Sequence, residues 1–78
     1  MEHPASVPAL SAVLQDTSEH RMVRHEAAEA LGAVGGEHVE ALLAEYQADG
    51  EIVVKESCDV ALDTIDYWKG SSSTVASA

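Results

Sequence analysis

The sequence predicts an all-α fold, a helical solenoid of two stacked helix pairs, on three observations. The first is internal repetition: VRHEAAEALGAV, Val23 to Val34, returns loosely as VVKESCDVALDTI, Val53 to Ile65. Placing Val23 on Val54 aligns Arg24 with Lys55, Ala30 with Ala61, Leu31 with Leu62 and Val34 with Ile65, an offset of 31 residues. The second is periodicity: apolar residues recur at helical spacing without strand signals, and self-similarity at roughly 30 to 47 residues marks stacked helix pairs. The third is composition. Phe is absent and there are one Trp and two Tyr, so the core falls to Ala, Val and Leu, which suit closely packed helices.

The elements follow in order. Residues 1–6 read as an N-terminal connection. The first helix is VPALSAVLQD, with Val7, Leu10, Val13 and Leu14 on one face and Pro8 tolerated in the first turn. Asp16, Thr17 and Ser18 break it and offer capping side chains near the next helix, which carries Val23 to Val34 and ends at Gly35-Gly36. The third helix, VEALLAEYQADG, matches the first when Val39 is set on Val7, placing Leu42 on Leu10 and Tyr46 on Leu14. Asp49-Gly50 ends it, and the fourth runs from Val53 to Trp68. The repeats thus occupy residues 7–35 and 37–68. Residues 69–78, rich in Ser, offer too little burial to offset ordering entropy and read as a disordered tail.

The formal charge of −10, from fourteen acids against four Lys and Arg, argues against nucleic acid as a partner, since phosphate binding needs a basic face. A basic ligand would be attracted, although acids also serve simply to keep helices soluble. Cys58 is the single cysteine; it aligns with Ala27 and reads as a small core residue in a reducing compartment. With neither a membrane-length apolar run nor a secretory signal, the expected location is cytoplasmic. Two repeats are short of the three or more that solenoids generally need, so the chain is expected to be part of a longer array or to borrow surface from a partner. Apolar surface is then expected at its N-terminal end, where another repeat would stack.

The candidate site is His25-Glu26. At 100° per residue, Val23, Ala27, Ala30, Leu31 and Val34 form an inward stripe about 100° wide, with His25 and Glu26 on the other side. Met22, Glu29, Gly32 and Ala33 surround the pair, and the small residues would leave room for a ligand. Imidazole and carboxylate suit iron or another borderline metal, but adjacent helical residues diverge, so other helices must supply further ligands. A solvated polar face is the plain alternative: Glu2-His3, Glu19-His20 and Glu37-His38 show how frequent such neighbours are in this composition. His3, His20 and His38 lie in or beside connections and are assigned no role. No phosphate loop, spaced cysteine pair or triad-like nucleophile is present; Ser57 and Cys58 are weak nucleophile candidates, and Tyr67 and Trp68 are expected to cover the end of the last repeat.

Val-Arg followed by Ala, Ala-Leu-Gly and an aliphatic residue marks a HEAT-like repeat. Arg-His-Glu within MVRHEAAEALGAV, with VVKESCDVALDTI behind it and HPASVPALSAVLQD ahead, closely resembles the C-terminal part of the deoxyhypusine hydroxylase family over residues 3 to 68. That family resembles two facing halves of four repeats around two irons held by four His-Glu pairs. The resemblance implies a HEAT-like solenoid and an iron-dependent monooxygenase that hydroxylates the deoxyhypusine side chain of a translation initiation factor, in hypusine biosynthesis. It implies His25 and Glu26 as metal ligands of the last pair, with Glu56-Ser57 in a closing repeat that carries none. Three further pairs lie outside this sequence, so the chain is expected to be an incomplete C-terminal fragment, inactive alone, whose site is completed by upstream repeats or another chain. The rival expectation is a noncatalytic HEAT-repeat module that binds a protein partner. A chromophore lyase of similar repeats would need a bilin-binding signal, which is not seen.

Overall fold

The computed structural model describes the backbone of residues 6–77 and the side chains of residues 6–69. Among the described residues, four helices follow one another: α1 (Val7–Gln15), α2 (Arg21–Val34), α3 (Glu37–Tyr46) and α4 (Ile52–Ser77). The α1–α2 and α3–α4 pairs stack, and the most extensive contact between elements is that of α2 with α4, the second helices of the two repeats. The fold is therefore all-α, as the repeat predicts.

Each boundary has a local cause. At α1, the Ser6 hydroxyl accepts from the Ala9 N–H at 3.3 Å, and Pro8 lies in the first turn, where no intrahelical donor is lost. The Asp16 carboxylate folds onto Ser18, accepting from its N–H at 3.0 Å and its hydroxyl at 2.6 Å; these bonds hold the Asp16 carboxyl below its ordinary range. The cap of α2 differs from the expectation: His20 provides it, its Nδ1 accepting from the Met22 N–H at 3.1 Å, while Asp16 is spent on the turn. Gly35 and Gly36 link α2 to α3 at φ of 74° and 102°, conformations that side chains with a Cβ disfavour. α3 begins at Glu37, earlier than Val39, and ends at Tyr46, so Gln47 to Glu51 form the connection and not a last helical turn. The bounds of α4 run to Ser77, into the segment 69–78 expected to be a tail; the expected connection 1–6 lies, apart from Ser6, outside the described residues.

The core comprises Leu14 of α1, Ala27, Ala28 and Leu31 of α2, Val39, Leu42 and Leu43 of α3, and Val54, Cys58, Ala61 and Ile65 of α4. Leu14, Leu31 and Leu43 have no exposed surface, and burying each stabilises the fold by about 1.5–3 kcal/mol. Val7, Leu10 and Val13 are only partly buried against this core.

The buried face of α2 keeps Ala27 and Leu31 of the predicted stripe but is rotated from it. Val23 and Val34 are 41% and 55% exposed, whereas Arg24, Ala28 and Gly32 are buried. The face is turned by roughly 80° on a wheel of 3.6 residues per turn. The reason is that α2 packs on α1 and α4 together, and the α4 contact demands small residues. A Cβ on Gly32 would stand 2.8 Å from the Ala61 Cβ and 3.0 Å from its Cα. Gly32 thus lets two backbones approach and does not clear an open surface.

Arg24 is the most heavily bonded side chain of the interior, at 2% exposure. Its Nε and Nη2 donate to the Leu14 carbonyl at 3.0 and 2.9 Å, and its Nη1 and Nη2 donate to Asp49 at 3.3 and 2.6 Å. The guanidinium fork therefore joins the end of α1, the start of α2 and the α3–α4 connection. Asp49 in turn accepts from the Glu51 N–H at 2.8 Å just before α4.

Candidate functional site

Bringing α2 against α4 through Gly32 and Ala61 leaves a groove of about 510 Å³ between the exposed flanks of the two helices. Met22, Ala33, Val53 and Val60 provide apolar wall, and His25, Glu29, Glu56 and Ser57 place polar groups along it. Successive turns of α2 carry Met22, His25, Glu29 and Ala33, the i, i+3, i+4 spacing that aligns side chains along one helical face. α4 contributes Val53, Glu56, Ser57 and Val60 by the same spacing. The two copies of the repeated segment thus face each other, with His25 of one opposite Ser57 of the other.

His25 is half-buried, and its Nδ1 lies 2.6 Å from Ser57 Oγ. Ser57 is 7% exposed, and its hydroxyl also donates to the Val53 carbonyl one turn earlier at 2.5 Å. The imidazole is thereby tied to α4 through one ring nitrogen, and the other is not engaged by this bond.

Glu26 behaves differently from its neighbour. It is exposed and is not among the groove residues, as the 100° divergence of adjacent helical positions requires. The carboxylates that share the groove with His25 are Glu29 and Glu56. Among the described residues, no three His, Cys, Asp or Glu converge closely enough to hold a metal ion. His25 and Glu26 therefore offer one nitrogen and one oxygen donor on diverging directions. That fits a share of a larger ligand set and not a closed site.

The other sequence candidates separate from this groove. Cys58 is wholly buried on the core side of α4, and burial pushes its thiol up to about 11, with Asp49 and Asp59 adding to the shift. That suits packing and not nucleophilic attack. Tyr67 and Trp68 are 65% and 66% exposed and pack edge to face at 5.3 Å, so they do not cover the core as expected. Lys69 reaches from α4 to Glu40 of α3 at 3.0 Å, and this bond raises its ammonium above the ordinary range. The sequence pattern does not mark two of the bonded residues for the roles they hold: Arg24, whose charge is an outward signal on any hydropathy pattern, and Ser57, which it offers only as a nucleophile. Their partners come from segments 10 to 32 residues away, a separation that no local pattern reports.

The model of the HEAT repeats family matches residues 1–63. The chain belongs to the HEAT repeat family. Within it, the chain is similar to deoxyhypusine hydroxylase of Danio rerio, 51% identical over 71 residues that make up 91% of this chain and 23% of that protein. Deoxyhypusine hydroxylase of Gibberella zeae is 52% identical over 77 residues, covering 97% of this chain and 23% of the relative. Among solved structures, human deoxyhypusine hydroxylase in complex with glycerol superposes with a TM-score of 0.77 at 49% identity, over 83% of this chain and 23% of that one. The chain is thus a homologue of a segment of these proteins and spans about a quarter of their length.

Proposed function

We propose that this HEAT-repeat chain forms part of an iron-dependent monooxygenase that hydroxylates the deoxyhypusine side chain of a translation initiation factor, with His25 and Glu26 as metal ligands. The observation that carries this reading is the 51% identity, across the His25-Glu26 helix and the helices that flank it, to a protein named for that reaction. Iron, when bound by the complete ligand set of two metals, would supply activation of oxygen. The chain's own contribution is geometric and electrostatic. His25 offers a ring nitrogen from the wall of the groove, and Glu26 offers a carboxylate from the adjacent exposed flank. Met22, Val53 and Val60 provide an apolar lining for a methylene chain, and Glu29 and Glu56 provide negative charge suited to its amines. A net charge of −10 favours approach of such a cationic side chain.

The remaining ligands come, on this reading, from further repeats or from a second chain, so these 78 residues alone are expected to be inactive. The deciding experiment determines the intact mass of the native polypeptide and then compares His25→Ala and Glu26→Ala in it for iron content and hydroxylation. Parallel loss of both quantities supports the reading; full iron loading in either variant removes that residue from the ligand set.

A second reading, a noncatalytic HEAT-repeat module that binds a protein partner, is favoured by the apolar-walled groove between α2 and α4. It predicts that the His25→Ala, Glu26→Ala double variant leaves both metal content and partner capture unchanged.

A further inference from the structure

We infer that Ser57, in the repeat without a His-Glu pair, is a positioning residue that fixes His25 as the Nδ1-protonated tautomer and aims its Nε2 lone pair away from α4. The inference rests on the proposed metal role only for its purpose; the proton assignment follows from the hydrogen bonds themselves.

Two short contacts meet at Ser57 Oγ: the Val53 carbonyl oxygen at 2.5 Å and His25 Nδ1 at 2.6 Å. Each is shorter than non-bonded atoms tolerate, so each must contain a proton. Serine has one hydroxyl proton and two acceptor lone pairs, and a carbonyl oxygen has none to give. The hydroxyl proton therefore goes to Val53, and the second contact can be filled only by an N–H on Nδ1. His25 donates to Ser57, and Ser57 donates to the backbone. With Nδ1 protonated in a neutral ring, the lone pair is on Nε2, the arrangement by which a ligating imidazole is oriented through its other nitrogen.

Burial makes the lock effective. Ser57 is 7% exposed and sits on a helix whose spacing to α2 is set by the Gly32–Ala61 approach, so its hydroxyl is held at a fixed distance from the imidazole. The Oγ is anchored to its own helix one turn back, which restricts its rotamer. The closing repeat thereby acquires a task although it contributes no His-Glu pair.

The test reads protons and needs no metal. The full chain, labelled with ¹⁵N in histidine, is examined by long-range ¹H–¹⁵N correlation at about pH 9, well above the ordinary imidazole range. His25 is expected as a single Nδ1–H form. In Ser57→Ala it is expected to shift to a mixture with Nε2–H, and in Ser57→Thr, whose hydroxyl can also bond the i−4 carbonyl, to return to Nδ1–H. Circular dichroism confirms that each variant remains helical. An Nε2–H form in the unsubstituted chain overturns the inference, and so does an Nδ1–H form that persists in Ser57→Ala. In the native iron-loaded polypeptide, Ser57→Ala is expected to weaken iron affinity by about 10- to 100-fold. If the tautomer shifts as described while His25→Ala leaves iron content intact, the lock stands and the metal reading falls.

Discussion

Replacing Asp49 with asparagine tests whether the Arg24 fork holds the helix pairs together. Asparagine can keep Oδ1 as acceptor for the Glu51 N–H at 2.8 Å, but it places an NH₂ where Oδ2 accepted from Arg24 Nη2 at 2.6 Å. A donor then faces a donor, and the guanidinium, on a side chain only 3% exposed, loses its counter-charge. Breaking a buried ion pair from one side costs about 3–5 kcal/mol. The Leu14 carbonyl still accepts from Nε and Nη2, so the low end, about 3 kcal/mol, is expected. A chain of this length has roughly 4–12 kcal/mol in total at 0.05–0.15 kcal/mol per residue, so the loss is a large fraction of it. At about 4–8 °C per kcal/mol, the melting midpoint should fall by roughly 12–24 °C, read by circular dichroism at pH 7. Arg24→Met combined with Asp49→Asn should recover part of the loss, because no buried charge is then left unpaired. The pH dependence has a definite sign. The Arg24 bond holds the Asp49 carboxyl below its ordinary 3.8, so its stabilisation is complete above that value and disappears as pH falls through the lower folded one. Asp49→Asn should flatten that acid limb. A loss under about 1 kcal/mol, the scale of an exposed ion pair, would refute the reasoning, as would an unchanged acid limb.

Gly32→Ala should weaken the fold despite alanine's helix preference of about 0.8–1.0 kcal/mol, because overpacking at 2.8 Å from Ala61 costs about 1–3 kcal/mol; urea titration should show a net loss, and a gain would mean that α4 shifts freely. Cys58, with its thiol at about 11 and no exposed surface, should resist iodoacetamide at pH 8 until urea unfolds the chain, and labelling at the rate of a free thiol would show that α4 detaches.

The repeat made the fold readable. Helix count, order and pairing follow from the apolar spacing, and Leu14, Ala27, Leu31, Leu42 and Ile65 lie in the core where that spacing puts them. The orientation of α2 was less legible. A single-helix wheel ranks residues by hydropathy and so favoured Val23 and Val34 over Arg24, Ala28 and Gly32. The actual choice is made by two neighbours at once, one requiring close approach and the other offering carbonyl and carboxylate acceptors. His25 was singled out from its dipeptide, but its hydrogen-bond partner was not, since His25 and Ser57 are 32 residues apart and meet only after α2 and α4 stack. The capping histidine, His20, was missed because imidazole is an uncommon cap and Asp16 and Ser18 stood nearby with better credentials.

The divergence of His25 and Glu26 constrains any site built from them. Side chains 100° apart on one helix cannot close around a point on the helix surface, and here one faces α4 while the other is exposed away from the groove. If both were metal ligands, as proposed, the rest of the ligand set would have to come from elements that face α2. Such a site gains little from the stiffness of a single helix and depends on holding each donor in one rotamer and one tautomer. The stacked architecture meets that need through the following repeat: its second helix presents Ser57 to His25 while its core side, Val54, Cys58 and Ala61, fixes the distance. On the proposed reading, a repeat without a His-Glu pair still has a structural task, because the orientation of His25 on α2 is set by the helix stacked behind it.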